Sequence, residues 1–327
     1  IRRAPRGLLH TMIDITIENF ESDLIATSMQ VPVLLDIWAE WCGPCKALGP
    51  VLEKLEQEYA GRFVLAKVNA DEQPEIAGQL SQMFGVRSIP FCVMFVGGQP
   101  VDGFVGALPE AQIRAFLDKH VPAGEELEAE ADLAEAQELL DDGDLESALA
   151  KLAHAVQTDP ANDAARFDYV KALLELGLLD DARAAFAPVA AKAADTLTPS
   201  PRLAALATWL SAFEAAAGAD PAALQAAIAA NKRDFDARFT LAQTHLAGQR
   251  FTEAMDELLE IIMRDKAWNG EAARKTYVAI LELLTKPAPK PAAEAKTGTL
   301  EIAGKAPVVH SDPLIDSYRR KLSMALF

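Results

Sequence analysis

The sequence predicts an α/β sandwich over the first third of the chain, followed by an all-α domain of helical repeats. Strand-like and helix-like segments alternate through the first 120 residues. After Pro122-Ala123-Gly124 the composition shifts abruptly to Ala, Leu, Glu and Asp. Beyond that point a turn glycine followed by a small alanine recurs, and Ala148 and Ala182 lie 34 residues apart.

The first region, residues 12–121, is predicted to contain strands and helices in the order βαβαβαββα. Residues 31–39 form a nearly continuous apolar run, which is typical of a strand covered on both faces. Further strands are predicted at residues 13–17, 63–68, 91–96 and 101–105. A short helix capped by Asn19 or Ser22 is predicted to end at about Met29, and further helices are predicted at residues 43–59, 74–84 and 109–120. This order favours a mixed sheet with helices on both faces.

The second region, residues 125–284, has no predicted strand and resembles tetratricopeptide repeats. Its motif is a turn glycine, a large apolar residue and an alanine, as in Gly143-x-Leu145-x-x-Ala148 and Gly177-x-Leu179-x-x-Ala182. Residues 249–254 repeat the motif, and residues 218–223 carry a degenerate copy. The small alanine lets the two helices of a unit cross closely. From the number of motif copies we predict three to four helical units. Aromatic residues are expected to fill their interior: Trp209, Phe213, Phe235, Phe239 and Trp268.

Three segments lie outside these two domains. Residues 1–11 are interpreted as a disordered or non-native extension, because the sequence starts with isoleucine and Met12 opens the first strand-like segment. Their apolar stretch is too short for a secretory signal peptide. Residues 285–311 are rich in Pro, Ala, Lys and Gly and predict a flexible linker. Residues 312–327 predict an amphipathic helix. Its apolar stripe and the basic residues beside it are Leu314, Ile315, Tyr318, Leu322, Ala325 and Leu326, with Arg319, Arg320 and Lys321.

The charge balance restricts the classes of partner. The chain has 31 Lys and Arg against 48 Asp and Glu, which gives a net charge of −17. Such a balance would repel nucleic acids and anionic membranes, and no run of 18 apolar residues predicts a membrane span. Three cysteines are too few for a disulfide-stapled secreted domain. We therefore expect a cytoplasmic protein with neither nucleic-acid nor membrane partners.

Two of the three cysteines form a CxxC motif, Cys42-Gly43-Pro44-Cys45, which follows Trp41 at the end of a buried strand and opens a helix. A helix N-terminus stabilises a thiolate on Cys42 through its unpaired N–H groups and dipole. The two-residue spacer brings Cys45 close enough to displace a mixed disulfide. The motif therefore predicts a dithiol–disulfide site that needs no cofactor, in which Cys42 attacks and Cys45 resolves.

A zinc site is the alternative interpretation of the motif. Zinc needs two further ligands, and the candidates are Cys92 and five scattered histidines without paired spacing. We therefore predict no metal. Cys92 lies within an apolar strand, where its expected role is core packing rather than redox chemistry.

Asp36 interrupts a strand of Val, Leu, Ile and Trp, where an unpaired carboxylate is costly to bury. Burial should raise its pKa and enable it to shuttle the proton of Cys45. Lys67, inside the next strand, is the expected charge partner. The alternative is that Asp36 and Lys67 form an internal ion pair with only a structural role.

The first region resembles thioredoxin in residues 33–46, Val-Leu-Leu-Asp-Ile-Trp-Ala-Glu-Trp-Cys-Gly-Pro-Cys-Lys, and also at Pro50, Lys67, Ile89-Pro90 and Gly106. The resemblance implies that Cys42 is the attacking thiol, Cys45 the resolving thiol and Pro90 a cis-proline beside which an extended substrate pairs. Phe91 departs from the family, whose members usually carry a small Thr there. Its bulky ring is expected to lie beside the substrate groove and alter the choice of client.

The chain as a whole resembles the bacterial chaperedoxin family (CnoX/YbbN), through residues 65–67, 98–104 and the C-terminal Tyr318-Arg319-Arg320-Lys321-Leu322. This resemblance implies a holdase that captures unfolding or oxidised proteins, protects their cysteines and passes them to folding chaperones. The implied partners are the chaperonin GroEL, docked through Tyr318, Arg319, Arg320 and Leu322, the DnaK system, and thioredoxin reductase as electron donor. The alternative for the C-terminal helix is a cap that folds back on the last repeat.

Two other functions are also compatible with the sequence. The chain could be a dedicated protein-disulfide reductase whose repeats recruit one partner. It could also be a non-enzymatic scaffold with a vestigial CxxC motif. Insulin reduction distinguishes the scaffold from the other two, and suppression of client aggregation distinguishes the holdase.

Overall fold

The computed structural model describes residues 13–286 and 312–326. It divides into two compact units, one within residues 13–127 and one comprising residues 128–286 and 312–326. The predicted N-terminal extension lies outside the described residues, as does the predicted linker apart from Thr285 and Lys286.

The first unit contains a five-stranded mixed sheet in the order β1-β3-β2-β4-β5. β1, β3 and β2 are mutually parallel, whereas β4 runs antiparallel to β2 and β5 antiparallel to β4. The strands are β1 Ile13–Asp14, β2 Val33–Trp38, β3 Val64–Asn69, β4 Phe91–Val96 and β5 Gln99–Val105. The helices are a π-helix Phe20–Ile25, α1 Ala26–Ser28, α2 Gly43–Glu58, α3 Pro74–Phe84 and α4 Glu110–His120. The predicted order of elements is confirmed.

Two differences from the prediction have local causes. β1 is shorter than predicted, because the Asn19 side chain accepts from the Thr16 N–H and donates to the Asp14 carbonyl, which turns the chain. The short helix predicted to end at about Met29 begins as a π-helix before continuing as α1.

The central strand β2 separates two hydrophobic layers, because successive side chains point to opposite faces of a sheet. Val33, Leu35 and Ile37 join the core on the α3 side. Leu34 joins the other core, with residues of α2 and α4. Asp36 has the same parity as Leu34 and therefore faces the α2 side.

The described part of the chain after residue 123 is helical, as predicted. The helices are α5 Gly124–Asp141, α6 Leu145–Thr158, α7 Asp163–Glu175, α8 Leu179–Phe186, α9 Ala190–Ala193, α10 Pro201–Ala216, α11 Pro221–Ala230, α12 Phe235–Ala247, α13 Phe251–Arg264, α14 Trp268–Leu284 and α15 Pro313–Leu326. Each predicted motif copy lies at the turn into the second helix of a pair: α5/α6, α7/α8, α10/α11 and α12/α13.

The turns explain the motif glycines. Gly143, Gly177 and Gly218 have φ of 82°, 75° and 80°, a left-handed conformation that glycine adopts without steric cost. Gln249 occupies this position in the last copy with φ 59°. Its side-chain amide donates to the carbonyl of Glu175 at the end of α7, which offsets part of the strain.

The motif alanines are fully buried at Ala148, Ala182 and Ala254, as the close helix crossing requires. Ala223, in the degenerate copy, is exposed, so α11 does not use this contact. The predicted aromatic interior is also present. Trp209 is fully buried and donates from Nε1 to the Leu246 carbonyl, and the other four aromatic residues are partly buried against the same core.

Candidate active site

Cys42 is the N-cap residue of α2, at the point where the chain leaves β2. Its Sγ accepts a hydrogen bond from the Cys45 N–H over 3.2 Å. Pro44 lies in the first turn of the helix, where its missing N–H breaks no helical bond. The helix start therefore directs a backbone donor at the Cys42 sulfur, an arrangement that stabilises a thiolate.

Cys42 and Cys45 form a disulfide with a Cα–Cα distance of 5.3 Å. Both side chains are almost fully buried and pack with Ala39, Trp38 and Ile89. Next to them Trp41 is 71% exposed, with its Nε1 donating to Asp71 Oδ2 over 2.9 Å. The disulfide is therefore almost fully buried, and the residue before it in the chain is an exposed aromatic side chain that one hydrogen bond holds in place.

Asp36 is buried, with 1% of its surface exposed. Burial raises the pKa of Asp36 from its ordinary value of 3.8 to about 6, against the opposing effects of the Cys92 hydrogen bond and the Lys67 charge. A cleft of about 200 Å³ is lined by Asp36, Cys45, Glu53 and Lys67. A cleft of this size and polarity can hold water, so it connects the carboxylate with the resolving cysteine.

The direct ion pair between Asp36 and Lys67, considered as an alternative from the sequence, is replaced by another pair. The two residues are register partners on β2 and β3. Lys67 Nζ, however, pairs with Glu53 Oε1 of α2 over 3.0 Å, and among the described residues no ion pair joins it to Asp36. The alternative interpretation, an internal ion pair between Asp36 and Lys67, is therefore wrong, because Lys67 pairs with Glu53 instead. Lys67 acts on Asp36 through space by its charge.

Cys92 is the residue opposite Asp36 on β4. Its Sγ lies 3.6 Å from Asp36 Oδ1 and donates a hydrogen bond to the carboxylate. It is fully buried, as the core-packing prediction requires. Sequence reasoning missed the contact with Asp36, because the pairing register of two strands cannot be read from the chain alone.

The Ile89–Pro90 peptide bond is cis, as predicted, and Ile89 packs against the cysteines. Phe91 does not lie beside the groove, so that expectation is wrong. Its ring is buried and packs edge-on against Phe84 of α3, with 5.6 Å between centroids. Cys92 faces the α2 side, so strand alternation turns Phe91 to the opposite face.

The described residues contain no group of three or more His, Cys, Asp or Glu side chains arranged to hold a metal ion. In the same residues no helix has the length and apolar character of a membrane span.

The family model "Thioredoxin" matches residues 11–119. The chain is 45% identical over 106 residues to the thioredoxin of Chlorobaculum thiosulfatiphilum, covering 93% of that protein and 32% of this chain. It is 42% identical over 107 residues to thioredoxin 1 of Nostoc sp., covering 94% of that protein and 33% of this chain. The chain belongs to the thioredoxin family.

Membership in the thioredoxin family concerns the N-terminal third of the chain. With the Cys42–Cys45 disulfide at its active site, this domain is a thiol–disulfide oxidoreductase domain. Two tetratricopeptide-repeat models match residues 139–210 and 214–297. The protein is thus a thioredoxin domain followed by tetratricopeptide repeats, which indicate interactions with other proteins.

The residues predicted to dock a partner lie on α15, which packs on the last repeats. Tyr318 is buried, and its carbonyl accepts from the Tyr277 hydroxyl of α14 over 2.8 Å. Leu322 is partly buried against the same core. Arg319 and Arg320 are exposed. The structure therefore separates the predicted set into two inward residues and two outward ones.

Proposed function

We propose that this protein is a chaperedoxin, a holdase for unfolding proteins combined with a thioredoxin-type reductase. The observation that supports this most is the union, in one chain, of an oxidoreductase domain and a protein-binding repeat domain. The proposal places the protein in the cytoplasm, with thioredoxin reductase as electron donor and GroEL and the DnaK system as recipients of its clients.

In the proposed reaction the Cys42 thiolate attacks one sulfur of a client disulfide, and the other client sulfur leaves as a thiolate. The client is then joined to Cys42 as a mixed disulfide. Cys45 attacks Cys42 Sγ, releases the second client thiol and leaves the Cys42–Cys45 disulfide. Two electrons have passed to the client. The N–H of Cys45, which contacts Cys42 Sγ, supports the choice of Cys42 as the attacking thiol.

Cys45 must lose its proton before it can attack, and we assign Asp36 as the acceptor. A pKa of about 6 leaves the carboxylate mostly ionised at neutral pH yet basic enough to take the proton. The cleft that joins Asp36 to Cys45 supplies the route, through water. Lys67 tunes the carboxylate by its charge, and Pro90 is proposed to face the client chain.

The helical unit offers apolar surface for clients. Several large apolar side chains are more than a third exposed there: Leu176, Leu178, Leu197, Met263, Val278, Leu314 and Met324. We propose that these side chains contact the unfolded client chain. Equimolar or sub-equimolar protein should therefore suppress the light scattering of a heated or oxidised client. Scattering equal to that with a plain thioredoxin would contradict the holdase function.

Docking on the chaperonin is assigned to α15. Because Tyr318 and Leu322 face the repeats, we propose that they hold the helix in place and that Arg319 and Arg320 make the contact. The double variant Arg319→Glu/Arg320→Glu should lose co-purification with GroEL, and deletion of residues 312–327 should do the same. Lys275→Glu, an exposed position on α14, is the matched charge control and should keep it. Unchanged co-purification of the double variant would contradict the assignment.

A second candidate, a reductase that recruits one dedicated partner, has one observation in its favour. A groove of about 390 Å³ in the helical unit is lined by side chains of both charges. Those side chains are Asp141, Asp168, Lys171, Glu175, Arg202 and Lys286. Such a groove suits a defined charged segment better than a generic unfolded chain. This candidate predicts insulin reduction without any suppression of client aggregation.

A further inference from the structure

We propose that Cys92 is a positioning residue for the thiol–disulfide reaction, because its S–H donates to Asp36 and keeps the carboxylate ready to accept a proton. The inference rests on the role proposed above for Asp36. It assigns Cys92 neither attack nor disulfide formation. It does give this thiol a part in the reaction, beyond filling space in the core.

The geometry comes from the sheet. Asp36 and Cys92 are partners in the antiparallel register of β2 and β4, so their side chains emerge side by side. Cys92 Sγ lies 3.6 Å from Asp36 Oδ1, a distance suited to a sulfur donor. Both side chains are almost fully buried, so the hydrogen bond has little exposure to bulk solvent.

The charged and titratable groups around Asp36 come from three elements. β4 supplies Cys92, β3 supplies Lys67, and α2 supplies Cys45, Lys46 and Glu53 along the cleft. Lys67 is already paired with Glu53. Within the described part of the chain, the Cys92 thiol is thus the side-chain donor that hydrogen-bonds to Asp36.

The thiol is suited to this task because it stays protonated. Burial and the neighbouring carboxylate raise the pKa of Cys92 well above its usual range. It therefore remains a donor throughout the range in which Asp36 titrates. A hydrogen bond to the charged form favours that form, so Cys92 opposes the rise in the pKa of Asp36 that burial causes.

The test compares Cys92→Ala, which removes the donor, with Cys92→Ser, which keeps one in a side chain of similar size. The readout is the Asp36 carboxyl carbon resonance, followed by NMR against pH in the oxidised full-length protein, where the disulfide cysteines do not titrate. We expect the midpoint to rise by roughly 0.5–1 pH unit in Cys92→Ala, the size expected for loss of a weak donor. Cys92→Ser should stay at or below the wild-type midpoint.

The pH profile of insulin reduction gives the second readout. With fewer ionised carboxylates, Cys92→Ala should be about two- to fivefold slower than wild type near pH 6 and equal to it above pH 8. In an Asp36→Asn background, Cys92→Ala and Cys92→Ser should have the same profile. Far-UV circular dichroism verifies that each variant is folded.

Equal midpoints in wild type, Cys92→Ala and Cys92→Ser would overturn the proposal, since Cys92 would then only fill space. Equal shifts in both variants would also overturn it, because they would report repacking rather than a lost donor. If the carboxyl midpoint moves as expected while the rate profile stays unchanged, the role proposed for Asp36 fails instead. The two failures are therefore distinguishable.

Discussion

Asp36 in the thioredoxin domain and Asp132 in the helical unit are both buried carboxylates, yet their pKa values are shifted in opposite directions. Asp132 accepts from His154 and Lys151, and these hydrogen bonds lower its pKa. Asp36 has a weak thiol donor and a cation at a distance, so burial dominates and raises its pKa to about 6. The difference teaches that direct ion pairing makes a buried carboxylate structural, whereas its absence leaves a group able to exchange protons near neutral pH.

The largest expected effect separates the two regions by activity. Cys42→Ser removes the attacking sulfur and should abolish insulin reduction, a loss of roughly a thousandfold or more. The helical unit should keep its stability. Cys45→Ser is the matched control, because it keeps the attacking thiol and should accumulate a mixed disulfide with clients on non-reducing gels. Equal trapping by both variants would contradict the assignment of the two thiols.

The next effect tests the two carboxylates with the same substitution. Because the pKa of Asp36 is raised in the folded protein, its ionised form destabilises the fold. The free energy of unfolding therefore decreases as pH rises from about 4 to about 6. Asp36→Asn should therefore stabilise the protein at pH 7.5 by about 2–3 kcal/mol and have no such effect below pH 4. Urea unfolding at both pH values measures the difference.

Asp132→Asn is the counterpart and should have the opposite sign. Its lowered pKa means that the ionised form stabilises the fold above the unfolded pKa, a contribution that is lost as pH falls. Removing the charge should destabilise the protein at pH 7.5 by about 1 kcal/mol. Stabilisation by both substitutions would contradict the contrast drawn between the two carboxylates.

A smaller effect tests the packing of the repeats. Ala182 is fully buried between paired helices, so Ala182→Leu should destabilise the helical unit by about 1–3 kcal/mol. Ala223→Leu makes the same change at an exposed copy of the motif and should stay within about 0.5 kcal/mol of wild type. Insulin reduction should be unaffected by either. Equal losses of stability at both positions would mean that the close helix crossing at Ala182 is not the cause of the destabilisation.

The smallest effect concerns a turn. Gly177 has a φ of 75°, and a Cβ there would meet nothing within 4 Å. Gly177→Ala should therefore cost about 1 kcal/mol from backbone strain alone. Gly78→Ala, inside α3 with equally open space, should instead stabilise by about 0.5–1 kcal/mol. If both substitutions changed the free energy of unfolding in the same direction, the left-handed turn conformation of Gly177 would not explain the effect.

Much of this architecture follows from local sequence patterns. The order of strands and helices, the placement of the CxxC motif at a helix start and the buried turn alanines all depend on periodicity and turn residues. The burial of Asp36 also follows, because its strand is apolar on both sides. Each of these features is determined within a few residues of chain.

The missed features depend on contacts between distant segments. Predicting the Asp36–Cys92 contact requires knowing how β2 aligns with β4. Predicting the Lys67–Glu53 pair requires knowing how α2 packs against β3. The prediction for Phe91 is wrong because a shift of one residue along a strand moves a side chain to the other face of the sheet. The packing of α15 through Tyr318 is a contact between segments more than 30 residues apart.

The proposed function requires that reduction and client holding reside in different parts of the chain. The most direct measurement is therefore to assay both activities in the full-length Cys42→Ser/Cys45→Ser variant. We predict no insulin reduction and undiminished suppression of client aggregation. Loss of both activities together, in a variant that remains folded, would contradict this division of function.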